Sequence, residues 1–252
     1  MAFYLDENGN VLNNTTQTKQ ENKQARGLGF SLAKVFGYMF LGLLITAVVA
    51  FAFGALSAYF LSIDPENTAN SLFVVMIASY ILTIVLSIII SFALHKARTI
   101  LLVIPMVLYA VTIGIMLSSF IIFIDWWLLA GAFGITTLIF GLMSLISFFA
   151  KKMNGVLIAG ISLVFGAGLI SLFNLIMMLV FPEAFQTLYW LVSLAVFAGM
   201  MLITMYDLFR IKQILASGDT SNNVSLYCAF TLYVDFIYIF MKILLIILNS
   251  KK

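Results

Sequence analysis

The stretch FTLYVDFIYIFMKILLII, residues 230–247, holds one acidic residue, Asp235, and one basic residue, Lys242, in an otherwise apolar and aromatic run. The apolar residues stand on consecutive positions. A membrane barrel strand would instead need about 10 residues of alternating polarity. A run of this length is close to what a helix needs to cross a bilayer, and a helix satisfies its own backbone hydrogen bonds in lipid. Asp235 then stands inside the span, where a carboxylate costs about 2.5–3.5 kcal/mol on insertion scales. Residues that carry such a cost face the protein interior and mark an ion or proton path. The simpler role is a single Asp hydrogen-bonded to a neighbouring helix.

Outward from this run the pattern repeats. Further apolar spans lie near 30–61, 72–94, 100–123, 126–149, 155–181 and 187–209, and the quoted stretch belongs to a seventh near 225–248. Of the 252 residues 63% are hydrophobic and 9% charged, with a mean hydropathy of +1.15. A water-soluble domain carries about a quarter charged residues, so a soluble enzyme and a disordered chain are both excluded. The expectation is an all-α polytopic membrane protein, with a polar tail over 1–28 and a seven-helix membrane domain over 29–252. The tail begins with Asp6 and Glu7 and has no apolar core, so it does not read as a secretory signal. Net charge is +3, but the basic residues are scattered around the spans, and no face suited to nucleic acid appears. Cys228 is the single cysteine and His95 the single histidine, which excludes a Cys-based or His-rich metal cluster. No cofactor is expected. Glycines 131, 134, 141, 160, 166 and 168 read as close helix packing.

The loops set an orientation. Lys19, Lys23, Arg26, Lys34, Lys96, Arg98, Lys151, Lys152, Arg210 and Lys212 fall on one side, and Asp64, Glu66, Asp125 and Glu183 on the other. The positive-inside rule puts the basic side, with the N-terminus, in the cytoplasm. Seven crossings leave Lys251 and Lys252 outside, against that rule, unless the last span is bent or crosses halfway. Trp126, Trp127, Tyr189 and Trp190 stand near the outer span ends, as an aromatic belt does.

A second intramembrane acid, Asp207, sits in LITMYDLFRIKQI at 202–214. Arg210, three residues on, can pair with it along one helix. The two spans run antiparallel through the short polar loop SGDTSNN. A rise of 1.5 Å per residue sets Asp207 about 10 Å and Asp235 about 15 Å from the adjoining helix ends. Both carboxylates can therefore reach similar depth. Two carboxylates a few ångströms apart in low dielectric cannot both ionise cheaply and share a proton. Both ionised, they suit a hard cation such as Ca²⁺. A pH-sensitive gate and a cation site are the same chemistry in two states.

Tyr206-Asp207-Leu208 followed by Ile211-Lys212, and Leu232-Tyr233-Val234-Asp235-Phe236-Ile237 followed by Phe240, resemble the last two helices of the Bax inhibitor-1 family, also called the transmembrane Bax inhibitor motif family. AFGITTLIFG at 132–141 and Phe173-Asn174 are similar to further family segments. The resemblance covers about residues 80–248. It implies seven helices with the last one central and wrapped by the other six. It also implies a di-aspartyl pH sensor, Asp207 and Asp235, beside a cation leak pathway. Family members are described as Ca²⁺-permeable leak channels and as suppressors of cell death. In bacterial relatives an arginine ending helix two latches onto the span-six aspartate. That place falls on His95 here, with Arg98 one turn on, so either is the implied counter-charge, His95 only when protonated. The family's asparagine after DFI is Tyr238 here, and Lys242 is the nearest match to a late basic residue. Lys242 otherwise reads as snorkelling to the interface.

The reading is therefore a pH-regulated cation leak, most plainly for calcium, in a bacterial inner membrane. Asp207 and Asp235 are its sensor and its calcium ligands, and the protein is not an enzyme. One alternative is a non-transporting regulator that binds a membrane partner or protease complex. Another is an intramembrane aspartyl protease. Tyr206-Asp207 fits its first motif, but LYVD at 232–235 stands where GxGD is needed, and no proline follows Pro182.

Overall fold

The computed structural model describes the backbone of residues 4–5, 11–12, 14–93, 99–178, 186–217 and 221–249, and the side chains of 29–91, 102–121, 124–171, 191–217 and 221–248. Among the described residues seven helices follow one another: α1 (Asn14–Ile63), α2 (Pro65–Ala93), α3 (Thr99–Phe123), α4 (Trp126–Phe149), α5 (Asn154–Met178), α6 (Gln186–Ala216) and α7 (Asn222–Asn249). All seven are long and apolar enough to cross a membrane. Ahead of them, Tyr4 pairs with Leu12 and Leu5 with Val11 in a two-residue antiparallel ladder, β1 (Tyr4–Leu5) and β2 (Val11–Leu12).

The expected spans match these helices closely, with three differences. Helix α1 begins at Asn14, so part of the polar tail is helical; its apolar portion starts at Gly29. Polar residues of good helix propensity extend a helix already nucleated in the apolar span. Helix α2 begins earlier than expected, at Pro65, where the missing N–H costs nothing. Helix α6 runs on to Ala216, past the expected end at 209.

The last helix is the central one. α7 packs directly on α1, α3, α4 and α6, while α2 lies behind α3 and α1, and α5 lies behind α6. Leu232, Ile239 and Leu244 of α7 are wholly buried. The outer surface is apolar: Phe73 and Ile81 of α2, Leu138 and Leu142 of α4 and Phe165 of α5 are all exposed. In water such a surface would aggregate; in lipid it is the solvated face. Lipid tails are as apolar as leucine, so close packing and interhelical hydrogen bonds hold the bundle together.

Two contacts show this. The Thr46 hydroxyl of α1 donates to the Ala110 carbonyl of α3 at 3.0 Å and meets the Tyr233 hydroxyl of α7 at 2.6 Å. Thr46 has one proton and gives it to Ala110, so Tyr233 is the donor in the second bond. Gly42 leaves room for the Tyr233 ring, which a Cβ there would meet at 3.1 Å. The second contact joins α5 to α6: a Cβ on Gly160 would meet the Gly199 carbonyl at 3.0 Å, and one on Gly199 would meet the Gly160 carbonyl at 3.0 Å. This corrects the expectation for the glycines. Gly160 packs as expected, but glycines 131, 134, 141, 166 and 168 face open space, whereas Gly42, Gly54, Gly114 and Gly199 pack.

The charges separate along the bundle. Lys34 of α1 donates to the side chain of Asn222, at the start of α7, and Lys212 of α6 donates to the carbonyls of Phe148 and Ala150, at the end of α4. These contacts gather Lys34, Lys151, Lys152 and Lys212 at one end. Asp64, Glu66 and Asp125 lie at the junctions of α1 with α2 and of α3 with α4, at the other end.

Candidate intramembrane acid site

Asp235 stands mid-way along α7, 6% exposed, between the buried residues Leu232 and Phe236. The helix is unbroken from Asn222 to Asn249 and long enough for a full crossing. Its carboxylate points into the bundle toward α6, where Thr204 and Asp207 act on it. Thr204 is wholly buried. Its hydroxyl lies beside the Asp235 carboxyl, yet neither Thr204 Oγ1 nor Asp235 Oδ2 has a hydrogen-bond partner among the described residues. Buried oxygens without partners are rare; among the described residues Ser225 Oγ of α7 is the third.

Asp207 lies one turn along α6 from Thr204 and is only half-buried. Arg210, exposed on the next turn, acts on it electrostatically. The depths follow from the helix ends. Asp235 is about 20 Å from the Asn222 end of α7, Thr204 about 18 Å from the Ala216 end of α6, and Asp207 about 14 Å from it, at 1.5 Å per residue. Asp235 is thus level with Thr204, and Asp207 sits nearer the basic end, toward Arg210. The two acids face each other across a helix pair but are staggered by about one turn.

Thr204 was not singled out in the sequence. Its signal was available in the i,i+3 spacing to Asp207, which puts both on one face of α6. His95 and Arg98, the implied counter-charges, lie outside the described residues, as do the side chains of Phe173 and Asn174. Lys212 caps the carbonyl end of α4, and its ammonium lies 5.1 Å from the centre of the Phe148 ring. Lys242 sits 5.9 Å from the Tyr238 ring centre on its own helix. Among the described residues no group of three or more His, Cys, Asp or Glu side chains is placed to hold a metal ion. A cation at this site would rest on two carboxylates together with hydroxyl, backbone and water oxygens.

Comparison with known proteins agrees with this architecture. A family described as "Inhibitor of apoptosis-promoting Bax1" matches residues 30–252. "Inner membrane protein YbhL" of Escherichia coli (strain K12) is 33% identical over 234 residues, covering 89% of this chain and 94% of that protein. The protein of the same name from Escherichia coli O6:H1 (strain CFT073) matches to the same extent. No solved structure matches. With the family's segment matched through all seven helices, this membrane protein belongs to the Bax inhibitor-1 family.

Proposed function

We propose that the chain is a proton-regulated cation leak of a bacterial inner membrane, with calcium as the ion and Asp207 and Asp235 as sensor and cation site. The observation that carries the reading is Asp235 itself. It is a buried carboxylate at mid-span, with one oxygen unpartnered and a second carboxylate within electrostatic reach. An isolated charge there is too costly to persist, so the pair holds a shared proton or a cation. Loss of the proton leaves two negative charges that recruit a cation or a basic side chain. Regaining it releases that partner. Arg210 is the described basic group already acting on Asp207.

In this reading the acids do no bond-breaking chemistry. Tyr233 stands where an intramembrane protease needs small residues, and its ring and hydroxyl are fixed against Gly42 and Thr46. The bundle is oriented with its lysine-bearing end, and the N-terminus, in the cytoplasm.

The test is Ca²⁺ flux into proteoliposomes at several pH values around neutrality, for wild type, Asp207→Asn and Asp235→Asn. The expected result is a pH-dependent flux in wild type that becomes flat in Asp235→Asn and weakened in its pH response in Asp207→Asn. Equal flux with equal pH dependence in all three removes the reading.

A further inference from the structure

Helices α1 and α4 both pack on α7 but hardly on each other. Between them lie three cavities of about 190, 760 and 680 Å³. The first shares Phe36, Ser144 and Leu145 with the second, and the second shares Leu43, Phe133 and Phe236 with the third. They form one continuous groove, open at the side of the bundle, with α7 as its floor. Along α1 it runs from Leu32 to Phe51, about 28 Å of helix. That matches the thickness of a bilayer's hydrocarbon core, about 30 Å.

The walls are mostly apolar, broken by Thr46, Thr137 and Ser144, and the ends differ. Lys212 lines one end, its ammonium on the last carbonyls of α4, and the exposed Lys151 and Lys152 follow directly. The other end holds Trp126. Mostly apolar walls with cationic groups at one mouth complement an acyl chain attached to an anionic headgroup, the chain taking the half of the groove next to the lysines, about 15 Å, the depth of one leaflet.

We infer that this groove is a binding site for an anionic phospholipid, one acyl chain lying on α7 between α1 and α4 and the phosphate beside Lys151, Lys152 and Lys212. Two exposed lysines near the membrane surface favour an anionic over a zwitterionic headgroup by roughly tenfold or more. The site does not depend on the ion-conducting role of the aspartates. Gly141 lines the α4 wall and has nothing within 4 Å of its missing Cβ, so a side chain can start there from the wall of the groove.

The experiment is native mass spectrometry of the purified full chain, partly delipidated and then supplied with phosphatidylglycerol or phosphatidylcholine. Wild type is expected to retain one phosphatidylglycerol about tenfold better than phosphatidylcholine. Gly141→Phe and, independently, Ser144→Phe fill the groove and should lose that lipid. Gly168→Phe, at an open position on α5 outside the groove, should keep it. Lys151→Gln with Lys152→Gln should abolish the preference while leaving phosphatidylcholine retention unchanged. Circular dichroism on the same samples establishes that each variant is folded. The inference is overturned if wild type shows no preference, if both filled variants retain the lipid as Gly168→Phe does, or if the double glutamine variant keeps the full preference. It is equally overturned if the groove holds a second copy of the chain, seen as a dimer that Gly141→Phe dissociates.

Discussion

At the scale of single residues, most of the chain's polar groups satisfy themselves locally. Thr83, Thr136, Thr137 and Ser147 each donate to a carbonyl one turn back, which is the cheapest arrangement in lipid. Against that background the unpartnered buried oxygens of Thr204, Ser225 and Asp235 stand out among the described residues, and those of Thr204 and Asp235 are neighbours. Thr46 and Tyr233 show the opposite case, a polar pair used to join helices. Thr46→Val strands the buried Tyr233 hydroxyl and should lower stability by about 1–3 kcal/mol. Thr46→Ser should recover most of that loss. Thr46→Val combined with Tyr233→Phe should cost less than the two single changes added together. Thermal unfolding in detergent micelles measures all four; strictly additive losses would mean that the two hydroxyls do not interact.

At the scale of elements, the fit between helices rests on a few close approaches. Gly199 lets α6 sit on α5, and a Cβ there would come within 2.8 Å of a Val164 methyl and 3.0 Å of the Gly160 carbonyl. Gly199→Ala should therefore destabilise by about 1–3 kcal/mol, although alanine is the better helix former. Gly168→Ala, with open space around it, should be neutral or slightly stabilising. The contrast is readable from melting temperatures, and equal effects would contradict the α5–α6 contact. Lys212 offers a different test. It holds the carbonyl end of α4, where a cation contributes about 0.3–1 kcal/mol. Lys212→Met should speed amide hydrogen exchange in the last turn of α4 and leave the Trp126 end unchanged.

At the scale of the whole molecule, charge separation and apolar covering define a bundle with two unlike ends. Cys228 is wholly buried, so cysteines introduced at exposed ends report topology over a low background. Lys152→Cys and Ser217→Cys should react with a membrane-impermeant maleimide only after the cytoplasmic side is opened. Glu66→Cys should react in intact cells. The reverse pattern would invert the proposed orientation, and with it the leaflet that supplies the lipid to the α1–α4 groove.

The amino-acid sequence by itself determined the number of the helices and the apolar part of each, because apolar runs of bilayer length leave the backbone no other satisfied conformation. It also exposed Asp207 and Asp235, since charge inside such runs is costly enough to be conspicuous. Neighbours were another matter. A helix apolar on every side has no stripe to separate core from surface, and lipid is as apolar as the interior it covers. Which glycines pack, which helices touch α7, that Asp235 is level with Thr204, and that α1 and α4 part to leave a groove were decided only when the helices met. Close shape fit and a few hydrogen bonds hold them there, and neither is encoded in hydrophobic pattern.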